Sequence, residues 1–80
     1  MRVTHPTDRP NFSEVHTNRG IVGFSYETPI AFSTPATGWT VRKNDWGPTT
    51  GKHLNYYPTP HNERLTGSEF LRALENAGLS

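Results

Sequence analysis

The residues with the richest chemistry lie together in WGPTTGKHLNYY, positions 46 to 57. The segment combines an indole, two hydroxyls, an amine, an imidazole, an amide and two phenols: Trp46, Thr49, Thr50, Lys52, His53, Asn55, Tyr56 and Tyr57. Glycines followed by a lysine suggest a phosphate loop, and a histidine near hydroxyls suggests nucleophilic catalysis. Each of these chemistries requires a particular spacing, so the segment can be compared with each requirement.

The glycine spacing argues against a phosphate loop. Such a loop has four residues between its glycines and then Lys followed by Ser or Thr. Here three residues separate Gly47 from Gly51, and His53 follows Lys52. Pro48 also removes one amide that could bind phosphate. We therefore expect no nucleotide and no other cofactor.

Metal binding and catalysis are also disfavoured. The chain has no cysteine and four histidines, and no two histidines have the three- to five-residue gap of a zinc site. His53 would need a nucleophile and an orienting group, but the sequence has no elbow of the Gly-x-Ser-x-Gly type. We expect no metal site, no catalytic residue and a protein that is not an enzyme.

A structural role is one interpretation that remains. Thr49 or Thr50 would cap a short helical turn beginning at Gly51. His53 and Asn55 would then bond to backbone groups of the loop 44–51. In this interpretation Trp46, Leu54 and one of the two tyrosines pack beneath the strands.

A binding surface is the other interpretation. The candidate partner-binding residues are cationic, aromatic or hydrogen-bonding: Arg42, Lys43, Trp46, Lys52, His53, Tyr56 and Tyr57. Trp, Tyr and Arg dominate the hot spots of protein interfaces. The same mixture suits a nucleic-acid backbone with stacked bases. Since the core also needs aromatic residues, we expect Trp39 and Phe24 to be buried and one of Tyr56 and Tyr57 to be exposed.

Short strands must position this segment. Apolar and small residues alternate between positions 20 and 32, and a further strand is predicted over 39–43 after a turn at 33–38. Pro29 marks a turn, bulge or edge, because proline cannot donate to a ladder. Connections this short favour antiparallel pairing. Residues 1–19 are polar with few apolar anchors and are predicted to be an extended N-terminal arm, before a single domain at 20–80.

One helix is predicted near the C-terminus, over about 67–77. Thr66 and Glu69 fit a capping box, and Leu65 with Phe70 fits a hydrophobic staple. Gly78 fits the left-handed position that closes a helix. The predicted fold class is therefore α+β, with a small antiparallel β-sheet of two to four strands packed against a C-terminal α-helix.

The composition narrows the function. Eighty residues of which 31% are apolar leave little room for an enclosed pocket of about 300 Å³ or more. A net charge of +1 differs from both a strongly basic non-specific nucleic-acid binder and an acidic mimic of DNA. No apolar run reaches the roughly 18 residues of a membrane span, and the N-terminus lacks the apolar centre of a signal peptide. We expect no membrane contact and a cytoplasmic location in the host cell.

Two stretches resemble sequence motifs of a known kind of protein. YETPIA at 26–31 resembles a Y-x-T-x-I-A strand motif. Trp46 with TTGKHLN at 49–55 resembles a W/Y-S-x-T-T-x-K/R-H-x-N motif, from which the chain departs at Gly47 and Pro48. Together, over about residues 20 to 57, they resemble a family of small proteins of unknown function encoded by phages, plasmids and other mobile elements.

The resemblance implies a setting and assigns no activity to any residue. Small proteins of mobile elements often bind a host machine, and anti-CRISPR proteins are one such class. The resemblance implies that the protein inhibits a host defence complex by direct protein contact, with a Cascade-type CRISPR effector as a candidate partner. We expect a monomer or small homo-oligomer. The alternative is a small nucleic-acid-binding accessory protein, whose binding to bare DNA or RNA would weaken steeply with salt.

Overall fold

A computed structural model describes residues 2–79 of the chain, so Met1 and Ser80, the outer limits of the predicted arm and domain, lie outside the described residues. Five strands form one antiparallel sheet in chain order: β1 Arg2–Thr4, β2 Phe12–His16, β3 Ile21–Ser25, β4 Thr28–Thr34 and β5 Gly38–Val41. The α+β class and the antiparallel sheet are confirmed. The predicted two to four strands were wrong, because the sheet has five.

The additional strands come from the residues predicted as an arm. β2 lies between β1 and β3, and Phe12 is completely buried. Its second inward position holds Glu14, which is also buried. Since a carboxylate occupies a core position, β2 lacks the alternation of apolar and polar residues by which a half-buried strand is recognised.

A register shift divides the apolar residues of β4 between the two faces of the sheet. Val22 pairs with Phe32 and Gly23 with Ala31, but the next residue of β3, Phe24, pairs with Pro29. Ile30 is the extra residue of this bulge. The prediction that Pro29 marks an irregularity is confirmed.

A helix covers each face. On one face, Phe70 and Leu74 of α2 (Gly67–Asn76) pack with Val22 and Phe32. On the other face, α1 (Pro48–Leu54) and the turn after it pack with strand residues, in a cluster of Phe12, Ile30, Ala31, Val41, Leu54 and Tyr57. A short 3-10 helix, His61–Glu63, lies between the two α-helices in the chain.

Both ends of α2 lie where the sequence predicted them. Thr66 Oγ1 accepts from the Glu69 N–H, and Glu69 Oε1 accepts from the Thr66 N–H at 3.0 Å. Leu65 packs on the cluster that contains Phe70, as a staple requires. Gly78 has φ 74°, and the Leu79 N–H donates to the Leu74 carbonyl across the last turn at 3.2 Å.

Candidate functional site

The loop before α1 determines where this helix begins. Gly47 is the N-cap and makes no side-chain cap, and Pro48 is the first helical residue, a position that suits its fixed φ. The predicted start at Gly51, capped by Thr49 or Thr50, was therefore wrong. Asn44 holds the loop: its Oδ1 accepts from the Trp46 N–H at 2.9 Å, and its Nδ2 donates to the Gly47 carbonyl at 3.3 Å.

The side of α1 that faces the sheet takes part in a buried network of hydrogen bonds. Ser25 Oγ lies 2.7 Å from His53 Nδ1 and 3.1 Å from Thr50 Oγ1. The His53 ring stacks on Phe12, with centroids 4.9 Å apart and planes at 12°. All four side chains are buried, and His53 has no exposed surface. The imidazole therefore belongs to the core and joins α1 to the end of β3.

Burial lowers the pKa of His53 from its ordinary 6.5, because an imidazolium ion would lose its hydration here. The positive charge of Arg9 lowers this pKa further, whereas the Pro10 carbonyl acts in the opposite direction. Nε2 is buried and, within residues 2–79, forms no hydrogen bond of ordinary geometry. A neutral imidazole beside a serine hydroxyl has the residue types of a base and a nucleophile. Both groups are enclosed in this structure, so a substrate would not reach them.

A second buried network lies beneath Tyr57. Its hydroxyl donates to Glu14 Oε2 at 2.9 Å. Burial and the Glu14 charge raise the pKa of Tyr57 well above its ordinary 10, so the phenol stays protonated. Gly23 allows this approach, since a Cβ at that position would lie 2.0 Å from the hydroxyl oxygen. Glu14 was missed in the sequence because it lies in the predicted arm.

Arg42 is also largely buried. Its guanidinium carbon lies 4.7 Å from the centre of the Trp46 ring and 5.6 Å from that of Phe70. One nitrogen lies 3.7 Å from Asp45 Oδ2, and another donates to the Pro29 carbonyl at 3.4 Å. Arg42 therefore connects the loop before α1 to the start of α2, and its contacts are with its own chain.

The predicted partner-binding residues separate into two groups. Lys43, Trp46, Lys52 and Tyr56 are exposed, whereas Arg42, His53 and Tyr57 are buried. The prediction that one of the two adjacent tyrosines is exposed is confirmed. Trp46, with 44% of its surface exposed, does not pack beneath the strands as the structural interpretation required.

The remaining motif residues also differ from expectation. Thr49 is exposed, and Asn55 Oδ1 accepts from Arg64 Nη2 at 3.5 Å, so Asn55 does not hold the loop 44–51. Trp39 and Phe24 are half-buried, so the prediction that they are buried is met only in part.

Tyr26, the first residue of the YETPIA motif, is an exposed aromatic residue that was not among the predicted partner-binding residues. It forms the corner between β3 and β4 with φ 58°, a left-handed conformation unusual for tyrosine. Its N–H donates to the carbonyl of Asn11, which has φ 62°. Its ring centre lies 6.4 Å from that of His53, and 56% of the residue is exposed. No sequence motif predicts this left-handed conformation for a tyrosine.

Residues 2–79 contain no group of three or more His, Asp or Glu side chains that could hold a metal ion. No helix in this range is long and apolar enough to cross a membrane.

The comparisons with known proteins identify a family. No curated protein and no solved structure matches the chain significantly. The model of a family of unknown function, DUF8033, matches residues 5–71. The matched range contains both buried networks, all of α1 and four of the five strands in full. The chain therefore belongs to the DUF8033 family of unknown function.

Proposed function

We propose that this protein is a non-enzymatic binding protein that acts by direct contact with another protein. The observation that carries the proposal is the division of segment 46–57 into two sides. Thr50, His53 and Tyr57 bond internally, whereas Trp46 and Tyr56 present flat aromatic area to solvent. Reactive groups enclosed in the core beside exposed aromatic rings fit recognition better than catalysis.

The proposed contact surface is named here the α1 surface and consists of Trp46, Lys52 and Tyr56. Its rings are already held in place: Trp46 lies against the Arg42 guanidinium, and Tyr56 packs edge-on against Phe12, with centroids 5.4 Å apart. Rings that are fixed before binding lose little conformational freedom in a complex. Lys52 adds a positive charge on the exposed side of the helix.

The proposed target is a host defence complex, and a Cascade-type CRISPR effector is the first candidate. This part of the proposal comes from the resemblance to proteins of mobile elements. A complex of ordinary size would bury about 1,200–2,000 Å² in total, which a small domain can provide. The test is target-DNA binding by a purified Cascade-type effector with and without the protein. Unchanged DNA binding at a large excess of the protein would reject this target.

Affinity capture tests the α1 surface itself. The tagged protein would be incubated with host lysate, with and without nuclease, and retained proteins identified by mass spectrometry. We expect one partner to be retained after nuclease treatment. Tyr56→Ala should weaken its binding about tenfold or more, since such rings are typical hot spots.

The matched control removes a charge elsewhere. Lys52→Ala and Arg72→Ala each delete one exposed cation from a helix, and only the first lies on the α1 surface. Equal binding by the two variants, with Tyr56→Ala also unaffected, would show that the surface is wrongly assigned. A gel shift with bare DNA at low salt, lost as salt rises, would favour the nucleic-acid alternative.

A further inference from the structure

One edge of the sheet is left partly open at β5. The Arg42 N–H donates inward to the Ile30 carbonyl of β4 at 3.0 Å. The Val41 carbonyl instead accepts from the Leu65 N–H on the outer side at 2.9 Å. Backbone groups alternate in direction along a strand. Trp39, two residues before Val41, must therefore direct its own N–H and C=O to the same outer edge.

Leu65 pairs with this edge only at its C-terminal end, next to Val41 and Lys43. It accepts from the Lys43 N–H at 2.7 Å, in a short parallel bridge opposite Arg42. Just before Leu65 the chain forms the 3-10 helix His61–Glu63 and no longer runs along β5. Within residues 2–79, no hydrogen bond to the backbone of Trp39 is formed on the outer side.

A groove of about 500 Å³ lies along this open part of the edge. Trp39 and Thr40 of β5 line one side of the groove. Pro58, Pro60 and Glu63, from the segment 58–63 after α1, line the other side. Proline has no N–H, so Pro58 and Pro60 cannot provide donors to complete the ladder. Among the described residues that line the groove, Glu63 alone carries a charge.

We propose that this groove binds an extended peptide, which adds beside β5 as a further strand. The backbone N–H and C=O of Trp39 require a partner with a complementary C=O and N–H, which an extended peptide supplies. Leu65 already makes this kind of pairing at Val41, and the peptide continues the ladder. Adding a strand to an open edge is an established mode of peptide recognition.

The chemistry of the groove specifies the peptide further. An apolar side chain packs on the half-buried Trp39 ring and the proline rings, and a lysine or arginine faces Glu63. A stretch of about four residues, roughly 13 Å long, is sufficient. The segment 58–63 borders the groove beside β5, so the occupant we assign is a single extended peptide that lies between them. This site is separate from the α1 surface.

The probe is the labelled pentapeptide TVKVT, titrated against the ¹⁵N-labelled protein by NMR with amide hydrogen exchange. In the free protein we expect fast exchange at the Trp39 amide and slow exchange at the Thr40 amide, which pairs with β4. Saturating peptide slows exchange at Trp39 at least tenfold and leaves Thr40 unchanged. Methylating alternate backbone nitrogens of the peptide weakens binding at least tenfold, because the donors are lost.

Charge variants complete the test. Replacing the lysine of the peptide by glutamate weakens binding about two- to fivefold, and Glu63→Lys reverses that preference. Glu75→Lys on α2 is the matched control and leaves both affinities unchanged, as does Tyr56→Ala on the α1 surface. No binding at millimolar peptide, equal binding of the methylated peptide, or dimerisation through β5 would each overturn the proposal.

Discussion

His53 illustrates how a reactive residue type can serve packing. Its ring lies between Phe12 and the Ser25 hydroxyl, and burial keeps it neutral. A histidine in the core adds a pH-dependent term to stability, because the unfolded chain binds a proton more readily than the folded one. This dependence of stability on pH can be measured without knowing the partner.

We predict that acid weakens the fold through His53. The pKa of His53 is lowered from 6.5 in the folded state, so its contribution to stability is complete above pH 6.5 and declines as the pH falls below that value. The free energy of unfolding, measured by urea titration between pH 7.5 and 5, should therefore decrease with acid. His53→Gln should reduce this slope, whereas the exposed His61→Gln should retain it. Equal slopes in the two variants would contradict the prediction.

We predict that Tyr57 and Gly23 act as a coupled pair. Tyr57→Phe removes the donor of the buried Glu14 carboxylate and should cost about 1–3 kcal/mol. Gly23→Ala should destabilise more in the wild type than in Tyr57→Phe, because its Cβ meets the hydroxyl oxygen first and the next ring atom only at 2.9 Å. A double-mutant cycle by guanidinium denaturation measures the coupling. Strictly additive effects would show that Gly23 is not required by the hydroxyl.

Residues close in sequence predict the ends of α2, but they do not predict the start of α1. α2 was predicted closely because each of its ends is marked by neighbouring residues, the cap and staple at the start and Gly78 just after the last turn. The start of α1 was not, because Thr50 bonds to Ser25, 25 residues earlier in the chain. A threonine near a helix start suggests a cap, and only the tertiary contact shows that it faces the core.

We predict that the capping box stabilises α2 measurably. Thr66→Ala removes the side chain that accepts from the Glu69 N–H and should cost about 1 kcal/mol, typical for loss of an N-cap. Thermal unfolding by circular dichroism would show a lower Tm. Thr66→Asn should retain most of the stability, since asparagine is an equally good cap. Equal destabilisation by both changes would show that the hydroxyl has another role.

The sequence predicted the class of the fold but not the number of strands in the sheet. The alternating strands and the capped helix were visible in apolar periodicity and local signals. β2 was not, because Glu14 stands where an apolar residue would mark a strand, and β1 is only three residues long. The α1 surface was predicted in part: residue types suggested it, but burial removed Arg42, His53 and Tyr57 from it. Which aromatic or cationic side chain faces the core depends on distant contacts.

We predict that β2, which lies within the residues predicted as an arm, is essential to the domain. Phe12 is fully buried and contacts the rings of His53, Tyr56 and Tyr57. Phe12→Ala should cost about 3–5 kcal/mol, much of the stability of a small domain. Deleting residues 1–19 should prevent folding, whereas deleting residues 1–4 should leave a folded protein. Sharp, dispersed NMR spectra from the 1–19 deletion would show that the remaining chain folds alone.

The meander order of the sheet has a consequence for synthesis on the ribosome. Each strand pairs with the one made just before it, so the sheet can assemble while the chain is still emerging. The helices that cover its faces follow the strands in the chain, and α2 is complete only at Asn76. A nascent chain therefore exposes Val22 and Phe32 until α2 has been made. Translation stalled before α2 would release a sheet with one bare apolar face, a species prone to aggregate.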